Sequence, residues 1–121
     1  MLVIEDNVDA AETLREVLEL SEATVEVAFS GPEGLERALV FHPEIVICDI
    51  GLPGMDGYAV ARAMRAEPDL KSVALVALTG YAGPEDIERS RRAGFDRLLA
   101  KPASMAKLEQ ILAGLPSQPV T

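Results

Sequence analysis

The residues best suited to chemistry are an adjacent acid pair, Glu5 and Asp6, a third acid, Asp49, the hydroxyl of Thr79 and the ammonium of Lys101. Each stands at the end of a short segment that reads as a strand: Leu2 to Glu5, Ile45 to Cys48, Val73 to Leu78 and, more weakly, Arg97 to Ala100. In open α/β sheets the ligand site lies beyond the carboxyl ends of the strands, where the loops diverge at a switch in strand order. That rule gathers the five scattered residues at one edge. Crowded carboxylates repel strongly at reduced dielectric, and a divalent cation relieves them. Hard oxygen donors with no His or Cys beside them point to Mg²⁺, which keeps several waters and leaves a position for a phosphoryl oxygen. A carboxylate so placed can act as a nucleophile and carry a phosphoryl group, provided that cations offset the charge on the phosphoryl oxygens. Asp49 is the candidate nucleophile, with Lys101 and Thr79 flanking it.

Positioning these residues requires alternating strands and helices, and the pattern supplies five pairs. A first helix is expected over about Val8 to Leu20, with Ala10, Leu14, Val17 and Leu18 inward. A second strand, about Thr24 to Phe29, leads to Ser30-Gly31-Pro32, an N-cap followed by a proline suited to a first helical turn. Leu35, Ala38 and Leu39 give the helix that follows its inner stripe. Ile45 to Cys48 is apolar throughout, as in a central parallel strand covered on both faces. Asp56 is the expected N-cap of a third helix that turns Val60, Ala61 and Met64 inward and ends at Pro68. The fourth helix, about Pro84 to Ala93, has little apolar face beyond Ile87 and is expected to be loosely held. The fifth, about Ser104 to Leu115, places Met105, Leu108, Ile111, Leu112 and Leu115 at helical spacing.

Composition fits one soluble α/β domain. The chain has 121 residues, an apolar content of 49%, and Pro and Gly scattered between apolar segments. One domain over 1–115 with a fraying tail over 116–121 is expected. A net charge of −9 disfavours binding to nucleic acid phosphates or anionic lipid and suits a cation or a basic partner surface. The single cysteine, Cys48, excludes an intramolecular disulfide. No apolar run approaches the ~18 residues of a membrane span, so a cytoplasmic location is expected.

Four motifs occur in order across nearly the whole chain: Val3-Ile4-Glu5-Asp6-Asn7, Ile47-Cys48-Asp49-Ile50-Gly51-Leu52-Pro53-Gly54-Met55-Asp56-Gly57, Ala77-Leu78-Thr79-Gly80 and Ala100-Lys101-Pro102. Through them the chain resembles the receiver domains of two-component response regulators. The resemblance implies a flavodoxin-like (βα)₅ three-layer sandwich with a parallel sheet of order 2-1-3-4-5. It makes Asp49 the phospho-acceptor. Asp6, Asp49 and the backbone carbonyl of Gly51 become ligands of Mg²⁺, with Glu5 holding a water of the metal, while Lys101 pairs with the phosphoryl group and Thr79 donates to it. It also implies a cis Lys101-Pro102 bond, a phosphohistidine donor on a histidine kinase or phosphotransfer domain, and self-catalysed phosphorylation and dephosphorylation. Pairing of two copies through the last two helices and strand five, and attachment to a hybrid kinase as well as a free-standing state, stay open. Receivers commonly carry an aromatic residue three positions before the site lysine; Leu98 stands there. Tyr81 is a candidate substitute, against its reading as a surface aromatic.

Plainer readings apply elsewhere. Cys48 is a small buried side chain, His42 a helix-end or surface residue, and Arg89, Arg91 and Arg92 are a solvated face or part of a partner surface. Two other functions fit less well. A phosphohydrolase of the haloacid dehalogenase type needs a second acid two residues after its nucleophile, where Gly51 stands. A receiver used only for docking has no need of the full acid cluster.

Overall fold

The computed structural model describes residues 1–20, 23–80, 83–101 and 105–113, with 105 and 111–113 described by their backbone. Strands and helices alternate: β1 (Leu2–Ile4), α1 (Val8–Glu19), β2 (Glu26–Ala28), α2 (Gly31–Phe41), β3 (Ile45–Asp49), α3 (Gly57–Ala66), β4 (Ala74–Thr79), α4 (Pro84–Ala93), β5 (Arg97–Ala100) and α5 (Met105–Ala113). All strand pairs are parallel, in the order β2-β1-β3-β4-β5. The expected fold class is therefore the one found.

Alternation along the strands divides the interior in two. Leu2 and Ile4, Val46 and Cys48, and Leu75 and Ala77 face α2 and α3, meeting Ala38, Val60, Ala61 and Met64. Val3, Ile47, Val76, Leu78 and Leu99 turn the other way, onto Ala11, Leu14 and Leu18 of α1 and Leu108 of α5. Burying each such aliphatic side chain stabilises the fold by about 2 kcal/mol before chain entropy is counted.

Two helix starts follow the expected caps: the side chains of Ser30 and Asp56 accept from the backbone N–H groups of Glu33 and Ala59, and Asn7 caps α1 in the same way, accepting from Ala10. Two inner stripes differ from expectation. On α1 the buried residue is Ala11, and Ala10 is exposed, because the stripe set by Leu14 and Leu18 runs back by three and four positions. On α2, Leu39 is exposed and the buried residues are Gly31, Gly34 and Ala38. A Cβ on Gly34 would collide with the Ile4 side chain, so α2 lies too close to β1 for large side chains on its inner line. Leu35 packs at the margin. His42 caps α2 in the left-handed region at φ 50, exposed, as a helix-end residue. α4 buries only Ser90 and Ala93 among its residues, with Ile87 turned out. The Lys101-Pro102 bond expected to be cis, Tyr81, Ser104, Leu115 and the tail lie outside the described residues, as do the side chains of Met105, Ile111 and Leu112.

The amino ends of β4 and β5 are joined by Arg65, whose five guanidinium N–H groups are all used. They donate to the carbonyls of Gly94, Lys71 and Val73 and to Asp96 Oδ2, at 2.6 to 3.0 Å. Asp96 Oδ2 also accepts from the Leu75 N–H at 2.9 Å.

At the opposite edge, α3 begins against the end of β3. A Cβ on Gly57 would stand 2.6 Å from the Asp49 carbonyl oxygen and 2.6 Å from Ile50 Cα. Both are backbone atoms that cannot step aside, and the Gly57 N–H already donates to the Ile50 carbonyl at 3.0 Å. Gly57→Ala is expected to lower unfolding stability by about 3 kcal/mol. Urea denaturation measures it; a loss below about 1 kcal/mol, the ordinary spread of surface substitutions, would show that α3 is not held this close.

Candidate active site

Four of the five sequence-predicted side chains come together at the carboxyl edge. Glu5 follows β1 directly and its N–H donates to the Ala28 carbonyl at 3.0 Å, continuing the ladder to β2. Its side chain is buried, whereas Asp6 beside it is exposed. Asp49, the last residue of β3, is 6% exposed, and its Oδ1 accepts from the Gly51 N–H at 3.2 Å. Ligand oxygens of Glu5, Asp6 and Asp49 all lie within 4.8 Å of one another. Lys101, just past β5, places Nζ 3.0 Å from Glu5 Oε1 and 3.2 Å from Asp49 Oδ2. Thr79 ends β4: it pairs in register with Ala100, and Leu78 pairs with Asp49. Its carbonyl accepts from the Lys101 N–H at 2.8 Å, so Thr79 stands between the strand that ends at Asp49 and the strand that leads to Lys101. Gly51 is in the exposed loop after β3.

One ammonium cannot neutralise three carboxylates, and the local electrostatics record the excess. Burial, with a hydrogen bond to Asp49 next, raises the Glu5 pKa to about 7, against partial relief from Lys101. Burial alone would raise Asp49 too, but the hydrogen bond from Glu5, the Gly51 N–H and Lys101 outweigh it and hold Asp49 below the usual carboxylate range. Lys101 is raised: its own burial is overcome by Glu5 and Asp49. Glu5 Oε2 is buried and, with both acids ionised, has no hydrogen-bond donor. Such a gap is closed by a proton shared with Asp49 or by a hard cation. Cys48, directly before Asp49, is buried, and burial followed by the charge of Asp49 pushes its thiol far above the usual range. That agrees with its reading as a small core residue.

Some of the surroundings left no mark in the sequence. Glu5, buried where its neighbour Asp6 is exposed, accepts from Lys101, 96 residues away. Tyr58 on α3 is 4% exposed and lies under the Arg89 guanidinium of α4, 4.2 Å from ring centroid to Cζ. Leu98 is half-buried and packs against the same interior cluster.

The chain belongs to the response regulator receiver domain family, whose model matches residues 1–113. It is thus a receiver domain of two-component signalling. Among relatives, the polar-differentiation response regulator DivK of Brucella ovis is 29% identical over 107 residues, covering 88% of this chain and 87% of that protein. The chemotaxis response regulator CheY4 of Vibrio cholerae superimposes with a TM-score of 0.87 at 25% identity, over 93% of each chain. The receiver domain of sensor histidine kinase PA1611 from Pseudomonas aeruginosa PAO1, solved with a magnesium ion coordinated in its active site cleft, gives 0.84 at 31% identity, over 92% of this chain and 91% of that one. Among the described residues, no helix is long and apolar enough to cross a membrane.

The raised Glu5 pKa fixes the sign of a pH effect. A carboxyl that holds its proton more tightly when folded adds stability that is full below its ordinary value of 4.5 and is lost as pH rises through about 7. In chelator-treated buffer, stability is expected to fall by roughly 2 kcal/mol between pH 5 and 8, and Glu5→Gln should flatten that slope. Parallel urea-midpoint profiles for the two proteins would rule out the shared proton.

Proposed function

We propose that this receiver accepts a phosphoryl group on Asp49 from a phosphohistidine of a histidine kinase or phosphotransfer domain. The observation that carries this reading is the Lys101 ammonium 3.2 Å from Asp49 Oδ2 inside a cluster of three carboxylates. An Asp49 oxygen attacks phosphorus; the new O–P bond forms as the P–N bond breaks, and the leaving imidazole nitrogen keeps the electron pair and takes up a proton from solvent. The Gly51 N–H and Lys101 orient the carboxylate. Lys101 then pairs with the phosphoryl oxygens and the Thr79 hydroxyl donates to them. Water attack on phosphorus breaks the O–P bond, restores the carboxylate and ends the signal.

The donor set fits Mg²⁺: hard oxygens, an unmet buried acceptor on Glu5 and no imidazole or thiolate in the cluster. Asp6, Asp49 and the Gly51 carbonyl would hold the ion, with Glu5 completing the acidic wall. Bound there, Mg²⁺ supplies positive charge against the phosphoryl oxygens. Residues 1–115 form the receiver in this reading and 116–121 a tail, and the chain works beside its kinase in the cytoplasm. A dehalogenase-type hydrolysis lacks its second acid, because Gly51 has no side chain to move a proton.

Two outcomes are expected. With Mg²⁺ and a small acyl-phosphate donor, intact-mass spectrometry should show one added phosphoryl group, mapped to the peptide containing Asp49 and lost in Asp49→Asn. Equal labelling of wild type and Asp49→Asn would sink the assignment. Separately, Mg²⁺ at about five times its dissociation constant should stabilise the protein by about 1 kcal/mol, read as a higher thermal midpoint, and Asp49→Asn should shrink that gain. Identical midpoints across a saturating Mg²⁺ titration would remove the metal from the reading.

A further inference from the structure

Charge is divided unevenly along the chain. Thirteen of the 20 acids and only two of the 11 basic residues precede Gly57, whereas seven basic residues fall between Arg62 and Arg97. Part of this basic segment converges at the amino edge of the sheet, at the opposite ends of the strands from Asp49. A cleft of about 420 Å³ opens there between the α3–β4 and α4–β5 connections. Arg65, Lys71 and Arg91 line it, with Asp96 the one carboxylate among its lining residues. That carboxylate is already engaged by Arg65 and by the Leu75 N–H. Arg65 in turn has no N–H left to give. Among the described residues, neither Lys71 nor Arg91 enters an ion pair, and both are exposed. The cleft therefore holds two unneutralised cations over a floor fixed by five hydrogen bonds from one guanidinium. Its walls also include the buried apolar residues Val73 and Phe95.

We propose that this cleft is a docking site for an acidic peptide segment of a partner protein, one that sets a carboxylate between Lys71 and Arg91 and an adjacent apolar side chain against Val73 and Phe95. Charge complementarity selects the carboxylate, since an anion here meets local positive charge on a chain that is negative as a whole. The apolar wall favours a peptide over a bare phosphate, which would leave that wall wet. The fixed floor lowers the ordering cost of binding. The site is independent of Asp49 chemistry, so it stands or falls separately from phosphorylation.

The test is fluorescence anisotropy with a fluorescein-labelled peptide of alternating Glu and Leu, titrated with the full chain at low ionic strength, where screening is weak. A protein of charge −9 repels such a peptide unless it carries a dedicated site. Anisotropy should rise, and Lys71→Glu with Arg91→Glu should weaken binding by about tenfold or more, while Arg37→Glu with Lys107→Glu, an equal charge change elsewhere, leaves it within about threefold. Unchanged thermal midpoints and unchanged labelling of Asp49 would certify that the cleft variants are folded. No rise for wild type overturns the proposal. So does a rise that the cleft substitutions leave untouched, or displacement of the peptide by inorganic phosphate at equal charge concentration, which would make this a small-anion site.

Discussion

Three carboxylates held within 4.8 Å of one another, with a single ammonium between two of them, form the constraint to which the rest of the molecule answers. Left to themselves, such groups would separate into water, where each is solvated and their repulsion is screened. Glu5, Asp49 and Lys101 stay because each is anchored by backbone that cannot retreat. Glu5 extends the ladder of an otherwise three-residue strand, Asp49 ends a central strand, and Lys101 is tied through its N–H to Thr79. Stability won in the interior thus keeps an electrostatically unfavourable edge in place, and the unfavourable edge is what gives the site its appetite for positive charge.

That anchoring reaches into the helical layers. α2 lies close enough to β1 that Gly34 touches Ile4, directly before Glu5, and α3 starts so near the end of β3 that only a glycine fits at position 57. From Gly57 the chain continues into Tyr58, whose ring carries the Arg89 guanidinium of α4. The start of α3, packed against the end of β3, is therefore joined by direct contact to a helix that buries little of its own surface. Leu98 packs into the same interior cluster without a polar end, so the only aromatic contact with a cation among the described residues is the one between α3 and α4. Arg65 performs the complementary task at the far edge, binding three carbonyls of two connections, α3–β4 and α4–β5.

Much of this was legible in the sequence, for physical reasons that differ from feature to feature. Strands buried on both faces announce themselves as continuous apolar runs, and caps at Ser30 and Asp56 follow from short side chains that satisfy free N–H groups. The convergence of Glu5, Asp6, Asp49 and Lys101 was legible because strand ends are where a parallel sheet brings distant stretches of chain together. The expected inner line of α2 differs at Leu39 because Gly31, Gly34 and Ala38 form the face that approaches the sheet, and Leu39, one position beyond Ala38, is rotated about 100° away from it. Ala10 was exchanged for Ala11 because a small residue on either side of a stripe carries almost no hydrophobic signal. The Arg65 network and the Tyr58–Arg89 contact were invisible for another reason: both depend on side chains reaching main-chain atoms or rings on other elements, and no local pattern encodes that.

Viewed along the strands, the two ends of the sheet carry opposite unsatisfied charge. The carboxyl edge gathers Glu5, Asp6 and Asp49 around Lys101, while the amino edge gathers Arg65, Lys71 and Arg91 around Asp96. Parallel topology makes this possible, since every connection crosses from one edge to the other and each edge collects residues from distant stretches of chain. The separation also keeps the basic groups from collapsing onto the acidic cluster, which would neutralise it and leave no demand for an external cation. Lys101 is the exception that the geometry permits, because a lone ammonium shared between Glu5 and Asp49 offsets part of their repulsion and still leaves the cluster negative.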